Sequence, residues 1–334
     1  MQNILVTGAN GLLATNIIKL LIEKGYSVIG LLRRAESYVG MTDEKLTLVE
    51  GEFTNTSTLN RILPQCDAVI HAAALTSQGM PSFQPYYEIN VKATENLVKA
   101  SILHQVKKFI YVSTANVFGY GTKTSPGNEN RPLQHPFTQS NYAKSKAESE
   151  KQIQKYSGGI DIVIVNPTFM LGAYDGKPSS GRIILMALRK KIIFYPPGGK
   201  NFIHVEDAAE GVIKAMTGGK PRENYLLAGE NLSYFEFFQK LKNITGQKSI
   251  LVKIPSSLLK AAGYAGLLLQ KCGVVADLNL VNAKILSIEN YYSNDKAEKN
   301  LGLKVRPIEM AINDSINWFS NQEKNRKNKK KNMQ

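Results

Sequence analysis

The sequence predicts an α/β fold: a doubly wound parallel sheet followed by a smaller, mostly helical lobe. Three observations carry this reading. Short runs rich in Ile, Val and Leu recur through the first half, each separated from the next by a stretch of helical periodicity. The runs are continuously apolar rather than alternating, as strands covered on both faces are. After about Asn166 the alternation loosens into a segment rich in Pro, Gly and Ser.

Strands are predicted at Ile4–Thr7, Ser27–Leu32, Leu46–Glu50, Ala68–His71, Lys108–Val112 and Ile160–Val165. Between them, Leu12–Glu23 places Leu13, Ile17, Leu20 and Leu21 on one helical face, and Ile89–His104 does the same with Val91, Leu97, Val98 and Ile102. A parallel crossover needs a connection of helix length, so this alternation implies parallel pairing. The organisation that follows is a sheet domain over residues 1–166, to which later segments return, then a substrate lobe over 167–320 with one or two further strands. A basic tail at 321–334 is expected to be disordered.

At 334 residues and 43% hydrophobic content, the chain can bury a substantial core. Cys66 and Cys272 form neither a disulfide framework nor a metal-binding pattern, which points to a reducing, cytoplasmic setting. The first residues run straight into a strand without the basic flank of an export signal. Six of the cations behind the net charge of +15 lie in the tail, from Lys324 to Lys331. The basic and aromatic interleaving of a nucleic-acid module is missing from the rest. The apolar stretch 258–275 is interrupted by Lys260, Lys271 and glycines, so it reads as a buried or cleft-lining helix pair in preference to a membrane-surface segment.

Thr7-Gly8-Ala9-Asn10-Gly11-Leu12-Leu13-Ala14 joins the first strand to the first helix. Glycines there let backbone approach a pyrophosphate, which the free N–H groups at the helix start stabilise. This makes Gly8, Asn10, Gly11, Leu12 and Leu13 dinucleotide-binding candidates. The second strand ends in Leu31-Leu32-Arg33-Arg34, without the carboxylate that would hold the ribose of NAD. A guanidinium suits a 2′-phosphate, so NADP(H) is the expected cofactor, with NAD(H) open, and Arg33 its principal contact. Tyr142 and Lys146 stand four apart on a predicted helix, close enough for an ammonium to lie beside the phenol.

The TGxxGxx(G/A) loop with the YxxxK pair resembles the extended branch of the short-chain dehydrogenase/reductase superfamily, with Ala14 where the third glycine usually stands. The resemblance implies a Rossmann-type fold and covers roughly residues 1–320. Gly51-Glu52-Phe53 is similar to its adenine-binding turn, with Glu52 replacing the usual Asp. His71-Ala72-Ala73-Ala74 resembles the small-residue segment beside the cofactor. Asn90 opens a stretch like the NVxGTxNL helix, which implies support for the active-site lysine. Tyr111–Gly119 resembles the (S/T)SxxVxG segment and places the catalytic hydroxyl at Thr114, with Ser113 the alternative. Asn166–Gly172 is similar to the segment whose backbone meets nicotinamide, which implies contacts from Pro167 and Phe169. Ser180 opens the next helix, toward the pyrophosphate or the substrate. His204, in Phe202–Ala208, is read as structural.

Within the superfamily the order of motifs is most similar to dihydroflavonol reductase-like and 3β-hydroxysteroid dehydrogenase-like proteins. That implies hydride exchange between NADP(H) and a carbonyl or secondary alcohol, with Thr114, Tyr142, Lys146 and Asn90 as the catalytic set and a small-molecule substrate. Phe169, Met170, Leu185, Met186, Leu188, Phe194 and Tyr195 suggest a hydrophobic or aromatic one. A nucleotide-sugar or lipid-linked sugar epimerase or dehydratase is the alternative, and a non-catalytic NADP(H) sensor the third. No metal is expected, and a homodimer follows only by family analogy.

Overall fold

The computed structural model describes residues 2–77, 80–271 and 279–331. Cys272 and the end of the 258–275 stretch lie outside the described residues. The first half holds β1 (Asn3–Thr7), α1 (Leu12–Glu23), β2 (Ser27–Leu32), β3 (Leu46–Glu50), α2 (Thr56–Ile62) and β4 (Ala68–His71). A single turn, α3 (Gln84–Tyr86), then runs through a π-helical stretch at Tyr87–Lys92 into α4 (Ala93–Leu103). β5 (Lys108–Val112), α5 (Asn141–Gln154) and β6 (Asp161–Pro167) complete this half. Each predicted strand is present within two residues of its expected ends.

The second half contains β7 (Phe169–Leu171), α6 (Arg182–Ala187), β8 (Ile192–Tyr195), β9 (Gly199–His204), α7 (Val205–Gly218), β10 (Asn224–Leu227) and β11 (Glu230–Ser233). There follow α8 (Tyr234–Thr245), β12 (Ile250–Lys253), α9 (Ser256–Lys271), α10 (Leu280–Ile285), β13 (Glu289–Asn290), α11 (Asp295–Leu301) and α12 (Ile308–Lys331). Where one or two strands were expected, the described residues hold seven, each of two to six residues, too short to show a period. α12 runs on to Lys331, within the stretch 321–334 read from the sequence as a disordered tail.

The main sheet has the order β10-β6-β5-β4-β1-β2-β3, and all its pairs are parallel. Strand direction alternates side chains between two cores. Ile4, Val6, Val28 and Val163 face α1 and α7, whereas Leu5, Ile29, Val69 and Ile162 share a core with residues of α2, α4 and α5. Burial on both faces explains the continuous apolar runs. The winding reverses between β1 and β4, where the carboxyl ends Thr7 and His71 lie side by side. A crevice at such a reversal is where open parallel sheets bind ligands.

The later half is interleaved with the first. β10 extends the sheet beyond β6, and α7 packs along α1. Lys19 of α1 and Arg306 both bind Glu206, at 2.7 and 2.8 Å, while Asp207 accepts from Arg306 Nε at 2.6 Å. The rest forms a second core around Ile184, Phe202, Phe237, Leu241 and Ile312, with β9 between β11 and β13 and paired also with β7.

Candidate dinucleotide and substrate site

Gly8 turns the chain out of β1 at φ +70°, a conformation that costs glycine little. A Cβ built there would stand 3.0 Å from Ala73 Cα, so the loop and the Ala72–Ala74 segment meet closely enough that any larger residue would have to push them apart. The N–H groups of Gly8 and Ala9 donate to Leu31 O, fixing the loop against β2. No side chain caps the start of α1. Gly11 and Leu12 thus open a helix whose first N–H groups and dipole suit a pyrophosphate, while Leu13 lies in the core and offers backbone only. Asn10 donates its amide to Ser37 Oγ at 2.7 Å, tying the loop to the segment that follows Arg33 and Arg34. Both arginines are exposed, and among the described residues neither has a carboxylate partner. The cradle that a Cβ would fill, the uncapped helix and the unpaired guanidiniums together fit a phosphorylated dinucleotide.

At the turn expected to meet the adenine, Phe53 packs edge-on to His71, and Glu52 is exposed. His71 is fully buried between the hydroxyls of Thr7, at 2.7 Å, and Thr94, at 3.0 Å. Burial, helped by the charge on Lys146, pushes its imidazole down to about 3, so it is a neutral pin between β1, β4 and α4. Thr7 Oγ1 also accepts from Ala73 N, which holds the small-residue segment in place.

The reactive hydroxyls meet where β5 ends. Ser140 caps α5 by accepting from Ala143 N, and the helix presents Tyr142 one residue in. The Tyr142 phenol lies beside the Thr114 hydroxyl; burial pushes the phenol up to about 12, and Thr114 pulls against that. This favours Thr114 over Ser113: Thr114 lines the cavity described below, whereas the Ser113 hydroxyl is buried with no hydrogen-bond partner among the described residues.

Lys146 departs from expectation. Its Nζ donates to Val112 O at 2.7 Å and sits 4.0 Å from the centre of the Tyr111 ring, so it is aimed at the strand end and not at the phenol. A fully enclosed ammonium needs an acceptor, and the Val112 carbonyl is within reach. Burial lowers it to about 7, against the raising effect of Glu150. Asn90 is also committed elsewhere. Its Oδ1 accepts from Leu75 N, and its Nδ2 donates to Leu75 O and Ser145 Oγ. The side chain therefore clamps the segment after β4 to α5.

Across from Thr114 lies a cavity of ≈ 140 Å³, walled by Asn116, Pro167, Phe169, Lys200, Asn290 and Tyr292 among others. Of the seven apolar residues expected to line a pocket, only Phe169 reaches this one. Leu185 and Leu188 line a separate groove against Trp318, and Met186 and Phe194 are exposed, because α6 and β8 lie at the rim of the second core. Lys200 holds its ammonium over the Phe169 ring, and burial lowers it to about 8. Ser180 is a further correction. Its hydroxyl donates to Met170 O, and the turn that opens α6 is already filled by the Asp175 carboxylate, which accepts from the N–H groups of Ser179 and Gly181. A second anion would be repelled there. His204 caps α7 through Glu206 N and faces Asp314, in the structural role expected of it.

Lys200, Asn290, Tyr292 and Glu150 were not among the expected site residues. Glu150 had a readable signal, since Tyr142, Lys146 and Glu150 fall at i, i+4 and i+8 on one face. The others come from segments with no local pattern linking them to Thr114.

Comparison with known proteins agrees with this geometry. The profile of the NAD dependent epimerase/dehydratase family matches residues 4–228. A putative dihydroflavonol 4-reductase from Synechocystis is 30% identical over 325 residues, covering 95% of this chain and 94% of that protein. A 4-hydroxy-2-methyl-3-oxo-4-farnesyl-3,4-dihydroquinoline-1-oxide ketoreductase from Stigmatella aurantiaca is 29% identical over 308 residues, covering 89% and 90%. The solved structure of gox2253 superposes with a TM-score of 0.82 at 28% identity, over 96% of this chain and 99% of that one. With the loop, the switch point and the Thr114–Tyr142 pair in place, the chain belongs to the NAD dependent epimerase/dehydratase family, as an NAD(P)-dependent enzyme of the extended short-chain dehydrogenase/reductase superfamily.

Proposed function

We propose that this enzyme is an NADP(H)-dependent oxidoreductase that reduces a ketone or aldehyde of a hydrophobic or aromatic small molecule, or oxidises the corresponding secondary alcohol. The observation that carries the reading is the closeness of the Tyr142 phenol to Thr114, a residue that lines the cavity together with Pro167 and Phe169. Thr114 donates to the substrate oxygen and orients it. Tyr142 gives that oxygen its proton during reduction and takes it back during oxidation. The chemistry a bound dinucleotide supplies is the hydride. Lys146, enclosed beneath the strand end with its amine on the Val112 carbonyl and lowered to about 7 by burial, anchors α5 to β5 beside Tyr142. Gly8, Gly11, Leu12 and Ala72–Ala74 carry the pyrophosphate, and Arg33 the 2′-phosphate. Pro167 and Phe169 border the nicotinamide side of the cavity. The names of the two relatives, both carbonyl reductases of ring-bearing molecules, support this choice of substrate.

An epimerase or dehydratase acting on a phosphate-linked sugar is the second reading. It is favoured by Lys200, a cation in the cavity wall with no ion-pair partner among the described residues. One titration separates the two. NADPH bound reversibly and at least about tenfold more tightly than NADH, a difference of ~1.4 kcal/mol, with that preference lost in Arg33→Ser, is expected. NAD released only on denaturation would give first place to the sugar enzyme.

A further inference from the structure

β8 and β12 form a two-stranded parallel ribbon away from the main sheet. In register, Ile192 stands beside Ile250 and Phe194 beside Val252. The alternate residues, Ile193 and Leu251, face the second core. The outer face of the ribbon is thus four large apolar side chains in a block, with Phe194 62% and Ile250 64% exposed. α9 begins three residues after β12 and continues the pattern. Leu259, Gly263 and Gly266 are buried, whereas Leu258, Tyr264 and Leu268 on the opposite side are exposed. The described part of the 258–275 stretch thus packs one side of α9 on α10, with Gly263 against Leu280 and Ala283, and leaves the other side exposed.

The surrounding charge has one sign. Residues 176–205 and 237–276 contain no Asp or Glu, yet each segment holds six Lys or Arg. Lys190 and Lys248 lie two residues before Ile192 and Ile250, and Lys253 ends β12; all are exposed, and none has a carboxylate partner among the described residues. Arg189 pairs with Glu323 at 3.9 Å, which brings α12 to the start of β8. The basic run from Lys324 to Lys331 begins at the next residue.

We propose that the outer face of the β8–β12 ribbon, continued by α9, docks on a bilayer containing anionic phospholipid. An apolar centre bordered by unpaired cations matches the acyl region and headgroups of such a surface. A nucleic acid would ask for a basic track without the apolar block. A second copy seated face to face would set the same cations against each other.

The test is flotation of the full chain with vesicles of phosphatidylcholine alone and of phosphatidylcholine mixed with phosphatidylglycerol, together with its mass in solution by light scattering. Binding to the mixed vesicles only, weakening as salt rises, is expected. Phe194→Ser/Ile250→Ser should lower that binding at least about tenfold, and so should Lys190→Gln/Lys191→Gln/Lys248→Gln, while both variants keep wild-type NADPH affinity as a check on folding. Failure of the wild-type chain to float would overturn the proposal. So would binding untouched by the apolar double variant, which would assign it to the tail alone, or a dimer that the double variant dissolves.

Discussion

Tyr142 holds its hydroxyl against Thr114, where burial pushes the phenol up to about 12. Such a phenol stays protonated through the neutral range, so reduction should show no loss of rate from its titration between about pH 6 and pH 9. Oxidation needs the phenolate, and its rate should climb up to ~tenfold per pH unit toward the phenol value. Tyr142→Phe should cost ~10²–10⁴ in turnover while leaving dinucleotide affinity unchanged; stopped-flow turnover at the wild-type level would remove Tyr142 from the chemistry. His71 gives a stability prediction of definite sign. Its folded value, about 3, lies below the unfolded value near 6.5, so below pH 6.5 the unfolded chain binds the extra proton. Stability is then lost as pH falls toward 3, by at most ~1.4 kcal/mol per unit from this group. Urea unfolding of His71→Asn should show a shallower pH dependence across that window than the wild-type chain.

At the scale of elements, the turn from β1 into α1 is set by the closeness of Gly8 to Ala73. Gly8→Ala should lower stability by about 1–3 kcal/mol and weaken dinucleotide binding, since the methyl both strains the turn and pushes against the backbone after β4. A normal unfolding midpoint with unchanged NADPH affinity would show that the loop can yield. The strands and helices of the first half were legible because each buries a continuous face, and burial writes itself into composition. The closeness of Thr114 and Tyr142 was legible too, because they sit at fixed distances from strand and helix ends. The aim of Lys146 was not legible: spacing four residues apart fixes a shared helical face, but the rotamer follows the acceptor, and that is a carbonyl 34 residues away. Ser180 was misread for a similar reason, because Asp175 fills the turn from a loop that carries no motif. The cavity wall joins Thr114 to Lys200, Asn290 and Tyr292, contacts that only the folded second half creates.

Over the whole molecule, the division at residue 166 marks a change of pattern and not a seam. β10 completes the sheet on β6, α7 covers α1, and Glu150 accepts from both Asn166 on β6 and Asn224 on β10, at 2.7 and 2.9 Å. A chain ended after Pro167 would leave β6 as an open apolar edge, which invites pairing between molecules. Such a fragment should scatter light as aggregates at concentrations where the full chain stays dispersed; a stable, dispersed fragment would show that β10 is dispensable.

The same strand sets a clock on synthesis. β6 ends at Pro167 and its neighbour begins at Asn224. At ribosomal rates the edge waits about 3–11 s for the intervening residues to be made. During that interval the nascent chain already displays its phosphate loop but lacks the strand beside β6. Chaperones that shield open edges would therefore find their substrate in this interval, before the enzyme has a complete sheet.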